Sequence, residues 1–168
     1  MNSFTVEEIK QSVDYQWRMR HIKTYMAIWG VISAITLVVP LFATMSVGSE
    51  SLVIGFAIWG LTVVICGLFF GVFALYDYSK ARSFVRHYKN FKQYETVLDS
   101  PETSYWYRGA IYYNVRIKDD NTSVLARTNA CFSGMLFSKF TLEDYNNKKV
   151  VGLLDPESER FYVEKKVN

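Results

Sequence analysis

The strongest constraint on how this chain folds is a pair of uncharged stretches, residues 24–49 and 51–76, each 26 residues long. Neither stretch contains Asp, Glu, Lys, Arg or His, and Glu50 alone separates them. About 20 apolar residues suffice for an α-helix to cross the hydrocarbon core of a bilayer. A chain of 168 residues has little other material with which to cover two such helices. We therefore predict a hairpin of two transmembrane helices over residues 24–76, with spans at about 24–47 and 52–76.

The basic residues indicate how such a hairpin would be oriented. The net charge of +3 arises entirely before residue 92, because residues 92–168 carry equal numbers of acidic and basic side chains. Lys and Arg flank the outer ends of the two stretches, and the short segment between the stretches has none. Because basic residues stay on the cytoplasmic side during insertion, we expect both termini in the cytoplasm. The candidates for contact with anionic lipid headgroups are Arg18, Arg20, Lys23, Lys80, Arg82 and Arg86.

Small residues with a spacing of four predict how the two helices pack. Gly30 and Ala34 in the first stretch lie at the same depth as Gly71 and Gly67 in the second, if the spans begin at residue 24 and end at residue 76. Small residues let helix backbones approach closely in lipid. Pro40 lacks an N–H and should bend the first helix, so we expect the hairpin to open on its outer side.

The tetrapeptide Ala-Ile-Trp-Gly occurs twice, at residues 27–30 and 57–60. The sequences that follow the two copies differ, which argues against an inverted repeat. Tryptophan favours the interface between membrane and water. We therefore interpret Trp29 and Trp59 as residues of an aromatic belt, one in each leaflet.

The segments that flank the hairpin are predicted to be helical. Residues 1–23 form an amphipathic cytoplasmic helix, since Thr5 and Glu8 have the spacing of a capping box. Residues 77–91 contain no Gly or Pro and extend the second helix. Each segment has an apolar stripe. The two stripes either pack against each other or lie in the headgroup layer; they consist of Ile9, Val13 and Trp17, and of Phe84, Tyr88 and Phe91.

Residues 92–168 change to the period of β-strands. Apolar residues alternate with polar ones from Ile111 to Lys118, and Asp119-Asp120-Asn121 provides a turn. Further strands are expected at 94–98, 123–128, 149–154 and 160–165, the last two joined at 155–158, and one capped helical turn at residue 141. Five or six short strands in fewer than 80 residues are typical of a small barrel or curled sheet. The predicted fold class is thus membrane α+β, with a transmembrane hairpin and a small, barrel-like cytoplasmic β domain at the C-terminal end.

No pattern in the chain indicates catalysis. The two histidines lie outside the strand-rich part, Cys131 has no histidine near it, and the acidic residues are scattered through turns. We find no metal-ligand spacing and no phosphate or dinucleotide loop, and therefore predict no enzyme activity, no cofactor and no metal. Because residues 92–168 are electrically neutral, no nucleic-acid partner is expected. Tyr105, Trp106 and Tyr112 form the candidate surface for a protein partner.

The last 65 or so residues resemble a family of small, uncharacterised bacterial membrane proteins that join one or two helices to a compact β-barrel module. The resemblance rests on the strand pattern Tyr113-x-Val115-x-Ile117, a later Val-rich strand, Asp155-Pro156 and a last strand at residues 161–163. The chain has Asn146-Asn147-Lys148 where the family usually has Gly-Asp. The general plan is also similar to membrane-anchored OB-type proteins of membrane quality control. Neither resemblance carries over a functional residue.

Together these features predict a non-catalytic integral membrane protein, in the bacterial plasma membrane if the resemblance holds. Its cytoplasmic β domain would act as an interaction or regulatory module. The expected partners are membrane lipid and either a protein partner or further copies of the chain. The alternative is an oligomeric channel or a transporter accessory subunit, whose pore would be lined by Thr36 and Thr62.

Overall fold

The computed structural model describes residues 4–47, 50–103, 111–119, 122–130, 132 and 140–167. The chain divides into two compact units. One consists of Met1–Arg20 together with Lys80–Asn168, and the other is His21–Ser79. Two long helices, α2 (Val13–Val47) and α3 (Glu50–His87), run through both units.

The unit His21–Ser79 contains the uncharged parts of α2 and α3. Both helices are long and apolar enough to cross a membrane, with a mean hydropathy of 2.0 for the first and 2.4 for the second over their most apolar 18 residues. Only 6% of that window is buried in the first helix and none of it in the second. A core helix of a soluble protein would be covered by the rest of the chain, whereas these two helices present most of their apolar side chains outward.

A short helix, α1 (Val6–Gln11), precedes α2. The predicted capping box at its start is present, because the Thr5 hydroxyl accepts from the Glu8 amide and the Glu8 carboxylate accepts from the Thr5 amide. Ser12 ends α1 with an extended ψ of 154°. Its hydroxyl donates to the Ile9 carbonyl at 2.6 Å and accepts from the Tyr15 amide at 3.2 Å. Ser12 therefore caps the end of α1 and the start of α2, and the N-terminal segment is two helices rather than one.

The second unit is built on one curled, mixed sheet of six strands. They are β1 (Lys92–Leu98), β2 (Pro101–Thr103), β3 (Ile111–Asp119), β4 (Thr122–Thr128), β5 (Lys148–Asp155) and β6 (Arg160–Lys166). Their order in the sheet is β1-β5-β6-β4-β3-β2. A 3₁₀ turn, Tyr88–Asn90, joins α3 to β1, and a one-turn helix α4 (Leu142–Tyr145), capped by Thr141, precedes β5.

The sheet is mixed, and it curls so that distant strands approach each other. All neighbouring strands are antiparallel except β4 and β6, which are parallel and pair only at Arg127–Arg160 and Thr128–Phe161. β1 also approaches β3, although three strands lie between them in the sheet order. The result is a half-barrel, which confirms the predicted barrel-like β module at the C-terminal end. The parallel pair was not predicted, because the strand pattern along the chain carries no information on the pairing of β4 with β6.

The half-barrel encloses an apolar core that also includes the N-terminal segment. Val13 belongs to the same buried cluster as Leu98, Tyr113, Phe161 and Val163, and Trp17 packs against that cluster. A second cluster joins α1 and the end of α3 to β5; its buried members are Phe4, Ile9, Phe84, Tyr88, Val151 and Leu153. The two apolar stripes of the flanking segments are thus buried against the sheet, where Ile9 meets Phe84 and Tyr88 but Val13 does not.

Candidate functional site

The two tryptophans of the repeated tetrapeptide connect α2 and α3 in a reciprocal way. The indole N–H of Trp29 donates to the Val63 carbonyl at 3.1 Å, and that of Trp59 donates to the Ser33 carbonyl at 3.0 Å. Ser33 lies four residues after Trp29, and Val63 lies four residues after Trp59. Each indole therefore donates to the carbonyl of the residue one helical turn after the other tryptophan. That carbonyl oxygen can accept this additional hydrogen bond because it has two lone pairs. The repeat thus pairs the helices through its two tryptophans, and their place in an aromatic belt stays a prediction.

The glycines of the hairpin are used differently from the predicted packing. Gly30 and Ala34 are exposed, and a Cβ at Gly30 or Gly71 would meet no heavy atom of a neighbouring segment within 4 Å. A Cβ at Gly67 would lie 3.1 Å from Nε1 of Trp29, so Gly67 leaves room for the indole on its way to Val63. At Gly67 the two helices thus meet through the indole of Trp29, a contact that small-residue spacing does not reveal.

Pro40 also has a different neighbourhood from the one expected. α2 continues through Pro40, which is fully buried. A Cβ at Gly55 would lie 3.0 Å from the Pro40 Cβ, which makes this the closest approach of the two helices at any described hairpin glycine. The hairpin is therefore closed at the level of Pro40, whereas the sequence predicts that it opens there.

The hydroxyl groups within the hairpin bond to their own helices. Ser33 donates to the Trp29 carbonyl, Thr36 to the Ile32 carbonyl and Thr62 to the Ile58 carbonyl, at 2.8 to 2.9 Å. Each of these hydroxyl protons is thus already donated within its own helix.

At the other end of the hairpin, Nδ1 of His21 lies 3.6 Å from an Asp77 carboxylate oxygen.

The six basic residues proposed for lipid headgroups separate into two groups. Five are exposed: Arg20, Lys23, Lys80, Arg82 and Arg86. Arg18 is only 9% exposed, and its guanidinium donates to Oδ1 of Asn129 at 3.1 Å. Arg18 therefore belongs to the interior of the β domain, since its position at the start of α2 places it against the loop after β4.

Arg18 is one part of a buried polar cluster around Asp14. One carboxylate oxygen of Asp14 accepts from Nδ2 of Asn129 at 2.7 Å, and the other accepts from the Val163 amide at 2.6 Å. β4 pairs with β6 only as far as Thr128. Beyond that point the Asp14 carboxylate, and not a residue of β4, accepts the hydrogen bond of the Val163 amide. Burial raises the pKa of Asp14 to about 7, although the hydrogen bond from Asn129, the charge of Arg18 and the Val163 amide each lower it.

Glu164 follows Val163 and is also buried, with 4% of its surface exposed. Opposite it, the β5–β6 register shifts between Val151 and Gly152, so that Glu164 is an extra residue on β6. Neither of its carboxyl oxygens accepts a hydrogen bond from the described residues. Burial and then the charge of Asp14 raise the pKa of Glu164 to about 9. Glu164 is therefore a neutral acid at pH 7, and Asp14 and Glu164 form a buried acid pair.

The acid pair is the functional candidate that the sequence did not reveal. In the alternation of residues 161–164, Glu164 falls on the outer face with Tyr162, and only the bulge turns it inward. Asp14 looks like an ordinary acidic residue in the first turn of a helix. No local signal could have linked two residues 150 positions apart.

The predicted partner surface lies only partly within the described residues. Tyr105 and Trp106, like Cys131, fall outside them. Tyr112 is half-buried, and the guanidinium of Arg127 lies 4.4 Å from the centre of its ring. Among the described residues, no group of three or more His, Cys, Asp or Glu side chains could hold a metal ion.

A comparison with known proteins finds no family model that matches the chain, no similar curated protein and no similar solved structure.

Proposed function

We propose that the chain is a non-catalytic integral membrane protein whose hairpin is inserted in a bacterial plasma membrane. The observation that carries this proposal is the outward-facing apolar surface of the unit His21–Ser79. Its large exposed side chains include Val31, Ile35, Leu61, Leu68 and Val72, each more than half exposed. In water such a surface is costly, because burial of apolar area contributes about 25 cal/mol per Å². In lipid the same surface is favourable.

The inter-helix contacts also support a lipid environment. Hydrocarbon offers no hydrogen-bond partner, so a polar group in a span has to be satisfied by the protein. Both indole N–H groups and the hydroxyls of Ser33, Thr36 and Thr62 donate to carbonyls within the hairpin. The five exposed basic residues at the inner ends favour an orientation with both termini in the cytoplasm.

Fractionation and cysteine labelling test the insertion and the orientation. The protein should remain in the membrane pellet after alkaline carbonate extraction. With Cys66 and Cys131 replaced by Ser, single cysteines at Gln11 and Val167 should react with a membrane-impermeant maleimide only after the cells are permeabilised. A cysteine at Glu50 should react in intact cells. Recovery of the protein in the supernatant without detergent would contradict the proposal.

The β domain is, in this proposal, an interaction or regulatory module that works in an oligomer or a larger membrane complex. Its support is the architecture: a half-barrel with its own core that includes α1 and the start of α2. In-cell crosslinking from a photoreactive residue at Leu125, which is 61% exposed on β4, should give a discrete adduct with a protein partner or a second copy. Absence of any adduct from this face, together with ion conductance of the purified protein in liposomes, would favour the channel alternative.

A further inference from the structure

We propose that α1 docks on β6 only while Glu164 is protonated, so that the N-terminal helix is released as the surrounding pH rises. The proposal goes beyond an anchoring role, because it concerns how the β domain itself responds to its surroundings. It rests on three features of the structure: a hinge, a carboxyl group without donors, and acids on the neighbouring elements.

The hinge is Ser12. The chain is extended there, and the Ser12 amide donates to the Ile9 carbonyl at 3.2 Å while the Ser12 carbonyl accepts from the Gln16 amide at 3.0 Å. α1 and α2 are therefore separate helices, and a change in ψ at one residue can move α1 without disturbing α2. Asp14, on the α2 side of the hinge, is bonded to Asn129 and Val163 and keeps α2 on the sheet.

The two members of the acid pair differ in what surrounds them. Asp14 accepts hydrogen bonds on both carboxylate oxygens and has Arg18 nearby, so its environment suits a negative charge. Glu164 has no such donors among the described residues. The Ser12 hydroxyl favours the charged form of Glu164, but its single proton is also donated to the Ile9 carbonyl. When the pair carries one negative charge, that charge therefore lies on Asp14 and the proton lies on Glu164.

The charged and titratable groups on each neighbouring element reinforce this assignment. On α1, the charge of Glu8 disfavours ionisation of Glu164. The charge of Lys165 on β6 acts on Glu8. The β5 residues on either side of the bulge are Val151 and Gly152, neither of which is titratable. The groups on the packed elements are Glu8 on α1, Asp14 and Arg18 on α2, and Tyr162 and Lys165 on β6. The two charged groups that act on Glu164, Asp14 and Glu8, are both acidic, so each of them disfavours ionisation of Glu164.

The direction of the pH dependence follows from the raised pKa of Glu164. The folded, docked state holds the proton up to about pH 9, whereas an exposed glutamate releases it near its usual value of 4.5. Docking is therefore fully favourable below pH 4.5 and becomes progressively less so as the pH rises towards 9. Asp14 keeps its bonds to Asn129 and Val163 whether or not α1 is docked, so its titration does not drive the release of α1. The buried side chains of Phe4 and Ile9 become exposed when α1 leaves β6.

Hydrogen–deuterium exchange of the full-length protein in lipid nanodiscs tests this inference at pH 6 and pH 9.5. After correction for the intrinsic exchange rate, protection of the α1 amides in the wild-type protein should fall at least about tenfold at the higher pH. Glu164→Gln, which has the shape of the protonated acid, should change less than about threefold between the two pH values. Glu95→Gln, at an exposed position on β1, should behave like the wild type.

Three results would overturn the inference. The first is wild-type protection of α1 that is the same at both pH values. The second is a loss of protection in Glu164→Gln that equals the loss in the wild type. The third is an equal loss at the β3 amides, since this would mean that the whole β domain unfolds rather than that α1 is released. None of these results bears on membrane insertion, which carbonate extraction tests separately.

Discussion

At the scale of single residues, Asp14 joins the start of α2 to two distant parts of the chain. It contacts the loop after β4 through Asn129 and the middle of β6 through Val163. A buried N–H that loses its acceptor costs about 1–3 kcal/mol, which exceeds the net gain from an average hydrogen bond. Asp14 is therefore more important for stability than its place at the start of a helix would indicate.

Replacement of this carboxylate should have a large effect. Asp14→Ala leaves the Val163 amide and the Asn129 side chain without their acceptor, so we expect the free energy of unfolding of the β domain to fall by about 2–4 kcal/mol. Urea denaturation in mild detergent at pH 6 measures this change. Asp99→Ala, at an exposed position where the carboxylate accepts from the Ser100 hydroxyl, should change it by less than about 0.5 kcal/mol. Equal effects of the two substitutions would contradict the role given to Asp14.

Gly67 is the residue that gives Trp29 access to the opposite helix. Gly67→Ala places a Cβ 3.1 Å from Nε1 of Trp29 and pushes the indole away from the Val63 carbonyl. We expect a loss of about 1 kcal/mol in helix pairing, measured by SDS titration in mixed micelles with circular dichroism. Gly60→Ala, where a Cβ meets open space, is the matched control and should be neutral or slightly stabilising, because Ala is the better helix former. If both variants behaved alike, the indole contact would not determine the pairing.

At the scale of secondary-structure elements, the β5–β6 pair determines where the acid pair can form. The bulge opposite Val151 and Gly152 turns Glu164 inward, so that two consecutive residues of β6, Val163 and Glu164, are both buried. A regular strand alternates its faces and could not do this. The β5–β6 irregularity thus places a carboxyl group beneath α1.

Gly152 is essential to this pair of strands. A Cβ at Gly152 would lie 2.5 Å from Cζ of Phe161 and 2.5 Å from the Tyr162 carbonyl oxygen. Because one of these neighbours is backbone and the other is a core ring, neither can move freely. Gly152→Ala should therefore lower the free energy of unfolding of the β domain by about 3 kcal/mol or more.

Thermal unfolding in detergent, followed by circular dichroism, measures the effect of Gly152→Ala. Lys149→Ala, at an exposed position on the same strand, removes only a surface ion pair with Glu95 and should cost less than about 1 kcal/mol. An unchanged melting temperature for Gly152→Ala would show that β5 and β6 can separate without loss, and would contradict the tight packing seen here.

The element scale also shows how far the sequence patterns extend. The strand alternation at 111–118 and the turn at Asp155-Pro156 predicted β3 and the β5–β6 connection, because period and turn chemistry are local properties. The capping spacing of Thr5 and Glu8 predicted the start of α1 for the same reason. The break at Ser12 has no such signal, since a single Ser beside an apolar stripe is compatible with a continuous helix.

At the scale of the whole molecule, two leucines with nearly equal exposure belong to different surroundings in our proposal. Leu68 on α3 is 66% exposed and Leu125 on β4 is 61% exposed. If the hairpin is inserted, Leu68 faces hydrocarbon near the middle of the bilayer and Leu125 faces water. Exposure alone does not distinguish these positions, but a charge introduced at each of them does.

A lysine at each position provides a direct test. Leu68→Lys should cost about 3–4 kcal/mol in a bilayer, because Lys replaces an apolar residue near the centre of a span. The amount of protein in the membrane fraction should fall strongly, as measured by quantitative immunoblotting after carbonate extraction. Leu125→Lys should leave that amount unchanged, since a charge on a water-exposed strand costs little. Tolerance of both substitutions would contradict insertion of the hairpin.

The sequence alone was sufficient for the positions of the two long apolar helices and of the curled β module. Both follow from properties of neighbouring residues: the absence of charge over 26 positions, and the alternation of apolar and polar side chains. Hydropathy and period act over one element at a time, so they can be read without knowledge of the fold.

Only the tertiary structure decided which surfaces of these elements meet. The indole rings of Trp29 and Trp59 bond to the opposite helix, and of the four expected small residues only Gly67 lies against one of these rings. The parallel contact of β4 with β6, the bulge at Glu164 and the bond from Val163 to Asp14, 149 residues earlier in the chain, have no local signal. The physical reason is that the energy of a buried acid or an interhelical hydrogen bond depends on groups that only folding brings together.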